Sequence, residues 1–165
     1  MNEIPYIEHF TNAAKKHWPE ETTNDPNFFL WFIAQAKAES AFDPKAVSRA
    51  GACGIMQIMP LTWREIRLYL PHLSKDILDP KDNIEAGIWY DRFCYMLITP
   101  IPHGEDRLLM AFAAYNCGPS RILRLIAEQK ITTYDALEKL IPYKETVDYV
   151  RRIKKYREEL ETQIR

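Results

Sequence analysis

The chain carries no excess of charge of either sign, because 22 basic residues stand against 23 acidic ones. Without a basic surplus it has nothing with which to hold a phosphate backbone, and nucleic acid is excluded as an expected partner. Cysteine is scarce: Cys53, Cys94 and Cys117, an odd count without metal-ligand spacing, argue against a zinc site and a disulfide framework. No internal repeat, low-complexity stretch or Gly/Ser linker interrupts the chain. The apolar run Phe28 to Ala34 is far too short to span a bilayer, so no integral membrane segment is expected. Met1 to Phe10 holds Glu3 and Glu8 and no basic cluster before an apolar stretch, so it does not read as a secretory signal peptide.

What is present suits one ordinary domain. The 165 residues are 47% hydrophobic, enough to build one core and too few for two comfortable ones. A single domain over residues 1–165 is expected, with its motif-bearing core at about 26–150. Four Trp, nine Tyr and seven Phe are mostly core, and some can stack on the C–H faces of sugars. Cys94, between Phe93 and Tyr95, reads as a small buried hydrophobe.

Helical periodicity dominates. A first helix is predicted from about Ile4 to His17, with Ile7, Phe10, Ala13 and Ala14 on one face. Asp25-Pro26 starts a second, through Ser40, that is apolar almost all round and therefore buried. Pro44, Gly51 and Gly54 break the period between Asp43 and Ile58, which predicts a loop or small β-hairpin. Further helices are predicted from Pro60 to Tyr69, from Asp79-Pro80 to Leu97, and over Leu108–Tyr115 and Ser120–Glu128. A short one begins at Thr133 and a long charged one runs from Tyr143 to about Glu161. The sum is a predominantly α member of the α+β class with a small β-hairpin element.

Glu39 follows about three turns of apolar helix and directly precedes the break at Asp43-Pro44. A carboxyl group desolvated there would hold its proton near neutral pH, as a general acid for a glycosidic oxygen must. A carboxylate fraying into solvent fits the position equally well. The helix dipole disfavours a negative charge at that end, which tilts the balance slightly toward function. Asp43, before Pro44, reads as a turn residue rather than a second catalytic carboxylate. His72 and His103 sit in Pro-flanked loops and are expected to be solvated. No Ser, His and Asp order suggests a triad. Arg151 to Arg165 is expected to be a solvated helix face with i,i+4 ion pairs.

Four blocks then occur in order: Glu39-Ser40-Ala41-Phe42-Asp43-Pro44 with Ser48 following, Gly54-Ile55-Met56-Gln57-Ile58-Met59-Pro60, Ala113-Ala114-Tyr115-Asn116-Cys117-Gly118, and Glu145-Thr146-Val147-Asp148-Tyr149-Val150. Together they resemble the catalytic domain of the soluble lytic transglycosylases, the goose-type-lysozyme-like family, over about Phe28 to Val150. The resemblance implies a lysozyme-like fold with Glu39 as the catalytic acid. It gives Ser48 the placing of a substrate N-acetyl group, Gln57 and Met59 the lining of the sugar cleft, and Tyr115 a hydrogen bond near the glutamate. Asn116 and Glu145 fall on supporting positions, and Ser40, Met56 and Tyr149 are secondary candidates. Met56 by itself reads more simply as core.

Cys53 and Cys117 stand where the family usually has Ser or Ala. They can form a disulfide or remain two packed thiols, and packed thiols are the expectation. The implied reaction is non-hydrolytic cleavage of the β-1,4 bond between N-acetylmuramic acid and N-acetylglucosamine in peptidoglycan, giving a 1,6-anhydro end. No metal or cofactor is implied. The alternatives are a lysozyme-type hydrolase and a non-catalytic glycan-binding assembly protein. The expected setting is the bacterial cell wall in the periplasm, reached as a phage-encoded enzyme, by another export route or after removal of a leader. The expected state is a monomer.

Overall fold

The computed structural model describes residues 3–164, and its described residues form nine helices. In chain order these are α1 (Ile7–His17), α2 (Pro19–Asn24), α3 (Leu30–Ser40), α4 (Pro60–Tyr69), α5 (Pro80–Leu97), α6 (Glu105–Cys117), α7 (Pro119–Gln129), α8 (Tyr134–Glu138) and α9 (Lys144–Ile164). The chain divides into two compact units, one reaching to Trp89 and resuming at Ile153, the other Tyr90–Arg152.

The helix starts follow local chemistry. Pro opens α2, α4 and α7, where its missing N–H costs nothing. Asp79 Oδ1 accepts the Asp82 N–H at 2.9 Å at the head of α5. Thr133 Oγ1 accepts the Ala136 N–H at 3.3 Å to cap α8. Asp25, expected to cap α3 directly, instead closes a turn: its Oδ1 accepts the Asn27 N–H at 2.9 Å, and the helix begins at Leu30. The short helix α2 had no apolar period to announce it, and none of its residues is buried.

The first unit is built around α3, which buries Leu30, Phe32, Ile33, Ala34, Gln35 and Ala36. Trp18, fully buried where α1 ends, packs on Phe28 and Phe32 with ring centroids 5.4 and 5.5 Å away. Its indole N–H donates to Ile88 O of α5 at 3.1 Å, so one side chain ties α1, α3 and α5 together. The last turns of α9 join this unit through the Arg157 guanidinium, which lies over the Trp31 ring and meets Glu161 at 3.2 Å. With Lys155–Glu159, this bears out i,i+4 pairing on the terminal helix.

In the second unit α6 is the buried element, with Arg107 through Ala114 all inside. The Arg107 charge is met by carbonyls around the end of α5. Its Nε donates to Tyr95 O at 2.7 Å and its Nη1 to Ile101 O at 3.2 Å, with the guanidinium 4.6 Å from the Tyr95 ring centroid. Asp106 Oδ1 accepts the Tyr134 N–H at 2.8 Å and fixes α8 to the start of α6.

Two expectations change. The β-hairpin between Asp43 and Ile58 reduces to isolated antiparallel bridges, Val47 with Cys53 and Cys53 with Ile58, and the described residues contain no strand. Positive φ at Gly51, Gly54 and Gln57 turns the backbone away before a ladder can extend. His72 is not simply solvated. Its Nε2 and that of His17 each lie 3.0 Å from Glu85 Oε1, which Lys16 Nζ also meets at 2.7 Å.

Burial alone would raise the Glu85 carboxyl, but hydrogen bonds from His17, Lys16 and His72 outweigh it and hold the group well below the usual carboxylate range. Because the folded value is depressed, the stabilisation is present above the unfolded value of about 4.3 and is lost as pH falls below it. Glu85→Gln is expected to lower stability by about 2 kcal/mol at neutral pH. Urea titrations of both proteins between pH 7 and pH 3 should show the gap closing as acid is added. A gap that is constant with pH would contradict this account.

Candidate functional site

Glu39 lies in the last turn of α3, half-buried. The helix stops on two left-handed non-glycine residues in succession, Ala41 at φ 52° and Phe42 at φ 66°. Each costs about 1–2 kcal/mol relative to ordinary helix geometry, so packing must hold them. Phe42 is held edge-on to Phe10, centroids 6.5 Å apart. Asp43 completes the turn, its Oδ1 accepting the Lys45 N–H at 2.9 Å, which bears out its reading as a turn residue.

Ser40 serves the backbone: its hydroxyl donates to Ile55 O at 2.8 Å and moors the end of α3 to the loop before α4. In that loop Ser48 Oγ accepts the Ala52 N–H at 3.0 Å, leaving its own O–H to donate elsewhere. Gln57 sits at φ 49°, and its Nε2 donates to Ala46 O and Gly54 O at 3.2 and 3.0 Å. Those two bonds leave the Oε1 acceptor uncommitted by the amide group's donors. Met59, 42% exposed, presents its side chain at the entry to α4.

Met56 is wholly buried and belongs to the core, so of its two readings the simpler one holds. Tyr149, only 1% exposed, likewise packs in the interior.

In the second unit Tyr115 is half-buried in the last turn of α6, its ring 5.5 Å from that of Tyr90 and inclined at 62°. Asn116 Oδ1 accepts the hydroxyl of buried Thr146 at 2.8 Å, joining the end of α6 to the start of α9. Glu145 is exposed one residue earlier, in the first turn of α9. Cys53, Cys94 and Cys117 are all free thiols, as expected. Burial pushes the Cys94 and Cys117 thiols above their usual range, which leaves them protonated and unreactive at neutral pH.

Sequence reasoning missed Asn83. This fully buried side chain of α5 accepts the Met56 N–H at 2.8 Å through Oδ1. Its Nδ2 donates to Cys53 O at 3.1 Å and Ile77 O at 2.8 Å. Gly54 and Gly87 make room for this arrangement. A Cβ on Gly54 would lie 2.5 Å from Asn83 Nδ2, and one on Gly87 would lie 2.7 Å from Met56 Cβ. The available signal was the i,i+4 spacing of Asn83 and Gly87, a polar and a missing side chain on one helix face.

This clamp separates two glycines of the same loop. Gly51 and Gly54 both have positive φ, but a Cβ on Gly51 meets nothing within 4 Å. Gly51→Ala is expected to cost about 1 kcal/mol from backbone strain alone. Gly54→Ala should cost at least about 2 kcal/mol more, because Asn83 cannot yield without orphaning buried backbone groups. Denaturation midpoints of the two variants compare them directly, and equal losses would refute the clamp.

Residues 16–137, more than half of the chain, match the family described as "Transglycosylase SLT domain". The soluble lytic murein transglycosylase of Escherichia coli K12 is 35% identical over 130 residues, 75% of this chain and 19% of that protein. A membrane-bound lytic murein transglycosylase F of Maricaulis maris is 30% identical over 86% of this chain and 29% of that protein. The chain thus spans about a fifth to a third of the length of these relatives. Among solved structures, the 70-kDa soluble lytic transglycosylase in complex with bulgecin A superposes with a TM-score of 0.76 at 27% identity, covering 98% of this chain and 25% of that one. An inactive glutamate-to-glutamine mutant of the Pseudomonas aeruginosa lytic transglycosylase Slt gives a TM-score of 0.69 at 28% identity, covering 90% of this chain and 24% of that one. The helical, lysozyme-like architecture expected from the motif blocks is therefore the one observed, and the chain belongs to the SLT-domain family of transglycosylases.

Proposed function

We propose that this protein is a peptidoglycan lytic transglycosylase. It cleaves the β-1,4 bond between N-acetylmuramic acid and N-acetylglucosamine and leaves a 1,6-anhydro-muramoyl end. The observation that carries the reading is the setting of Glu39: half-buried, at the end of a buried helix, beside a strained turn whose own carboxylate, Asp43, is committed to the backbone. Family membership supports it, since the relatives matched are named as murein transglycosylases.

Protonated Glu39 donates its proton to the glycosidic oxygen as the bond to the leaving sugar breaks. Ordinary glycosidases set a second carboxylate against the developing positive centre. With Asp43 held in its turn, the substrate's own N-acetyl group takes that role, and Ser48 orients it through the hydroxyl proton it has left to give. Glu39, now ionised, accepts the proton of the C6 hydroxyl, and that oxygen closes the anhydro ring. The same residue is acid first and base second, so each turnover restores it and no cofactor takes part.

Gln57 and Met59 line the sugar site from the loop before α4. Tyr115, Asn116 and Glu145 keep the supporting roles that the resemblance gives them. Ser40 acts through the backbone, as a positioning residue. The chain works as one domain and as a monomer, at the cell wall in the periplasm. No helix of the described residues is long and apolar enough to cross a membrane.

Digestion of purified sacculi followed by mass spectrometry tests the reaction. Anhydro ends, lighter than reducing ends by one water, are expected; reducing ends alone would make the protein a hydrolase. Glu39→Gln should lower turnover by at least about a thousandfold with an unchanged denaturation midpoint. Retained activity would refute the assignment of the acid.

A further inference from the structure

Near its start the inward face of α9 carries Thr146, Tyr149 and Val150, all buried and spaced i,i+3 and i,i+4. A hydroxyl buried at Thr146 is unfavourable unless it is hydrogen-bonded, and a valine of the same shape would fill the space without that cost. The hydroxyl spends its one O–H on Asn116 Oδ1, 2.8 Å away in the last turn of α6. Packing alone does not ask for this bond.

The bond decides which way round the Asn116 amide lies. The amide plane has an acceptor edge, Oδ1, and a donor edge, the two N–H groups of Nδ2. With Oδ1 turned onto Thr146, Nδ2 is turned away from it, and among the described residues no acceptor meets it. Asn116 is only half-buried, so the donor edge is within reach of a ligand. The backbone beneath is fixed, because Arg107 through Ala114 are buried and the Gly118 N–H closes the helix on Ala114 O at 2.8 Å. Cys117 lies beside the same hydroxyl, and a thiolate there would compete for its proton. Burial pushes that thiol above its usual range, so at neutral pH Asn116 keeps the bond.

We infer that Thr146 is a positioning residue of the murein-cleaving reaction: it locks the Asn116 amide so that the donor edge, and not the carbonyl, meets a neutral acceptor oxygen of the sugar chain. The inference rests on the function proposed above. An amide left to turn would present its carbonyl as readily, and two acceptors facing each other repel. Thr146 thereby sets the polarity of a substrate contact without touching substrate.

The test uses Thr146→Val, which keeps the shape and removes the hydroxyl, and Thr146→Ser, which keeps the hydroxyl. On peptide-free glycan strands Thr146→Val should lower kcat/KM about tenfold, the size of one neutral hydrogen bond. The loss should appear as a raised KM with kcat held within about twofold, and Thr146→Ser should restore the unchanged values. In an Asn116→Ala background Thr146→Val should have no further effect, whereas a general loosening of the fold would lower that variant as well. Full activity in Thr146→Val, no rescue by Thr146→Ser, or an undiminished loss in the Asn116→Ala background would overturn the proposal. Cosedimentation with sacculi, using Glu39→Gln protein that carries the same changes, reads affinity without turnover. If nothing is cleaved but retention falls in the same order, the transglycosylase reading fails and the assignment of Thr146 stands; equal retention removes that assignment.

Discussion

The side-chain amide of Asn83 gives both of its N–H groups and its oxygen to main chain, receiving Met56 N–H and donating to Cys53 O and Ile77 O. A fully buried amide is costly unless every such bond is made, and here the bonds fix a loop that forms no strand of its own. From that loop Ser48, Gln57 and Met59 project. Ser40 adds a second mooring, from the helix that carries Glu39 to Ile55 O. The loop is thereby held by one side chain from α5 and one from α3, and the geometry around the glutamate depends on both.

Rigidity of this kind explains how strained backbone survives near the glutamate. Ala41, Phe42 and Gln57 occupy left-handed conformations without being glycine, which is unfavourable locally and sustainable only where the surroundings over-determine the chain. Trp18 supplies part of that determination from the opposite end of α3 by tying three helices with its ring and its N–H. The polar cluster on Glu85 supplies another part, and because it is ionic it makes the first unit sensitive to acid. Stability and chemistry thus rely on different carboxylates: Glu85 is satisfied by three donors, whereas Glu39 is assigned to exchange its proton with substrate.

Much of the candidate site was legible because the motif blocks keep the proposed acid and the residues proposed to support it at fixed spacing along the chain. Within those blocks the sequence did not separate residues facing a cleft from residues facing the core. Met56 and Tyr149 stand beside Gln57 and Asp148, yet both are buried, because neighbours on a turn or helix point in different directions. The loop or small hairpin expected before Pro60 is a loop with isolated antiparallel bridges, for a related reason. Gly51 and Gly54 signalled tight turns correctly, but positive φ at Gln57 is a response to packing and has no local signature.

By itself the sequence determined the helical class, the termini set by Pro and by Asp or Thr caps and the free state expected of the thiols, and it singled out Glu39 as the residue proposed here as the acid. These rest on interactions between near neighbours in the chain or on whole ordered motifs. Only the tertiary structure decided that Asn83 holds the loop, that His17, His72 and Lys16 converge on Glu85, and that residues 3–9 form a groove with Ala41 and Phe42. Each of these joins residues some 13 to 69 positions apart, or two segments separated by a whole helix, as with Lys16 and Glu85 or Met56 and Asn83. Hydrogen-bond and groove complementarity at such separation leaves no period in the sequence, because it is set by how helices pack and not by how any one of them is written.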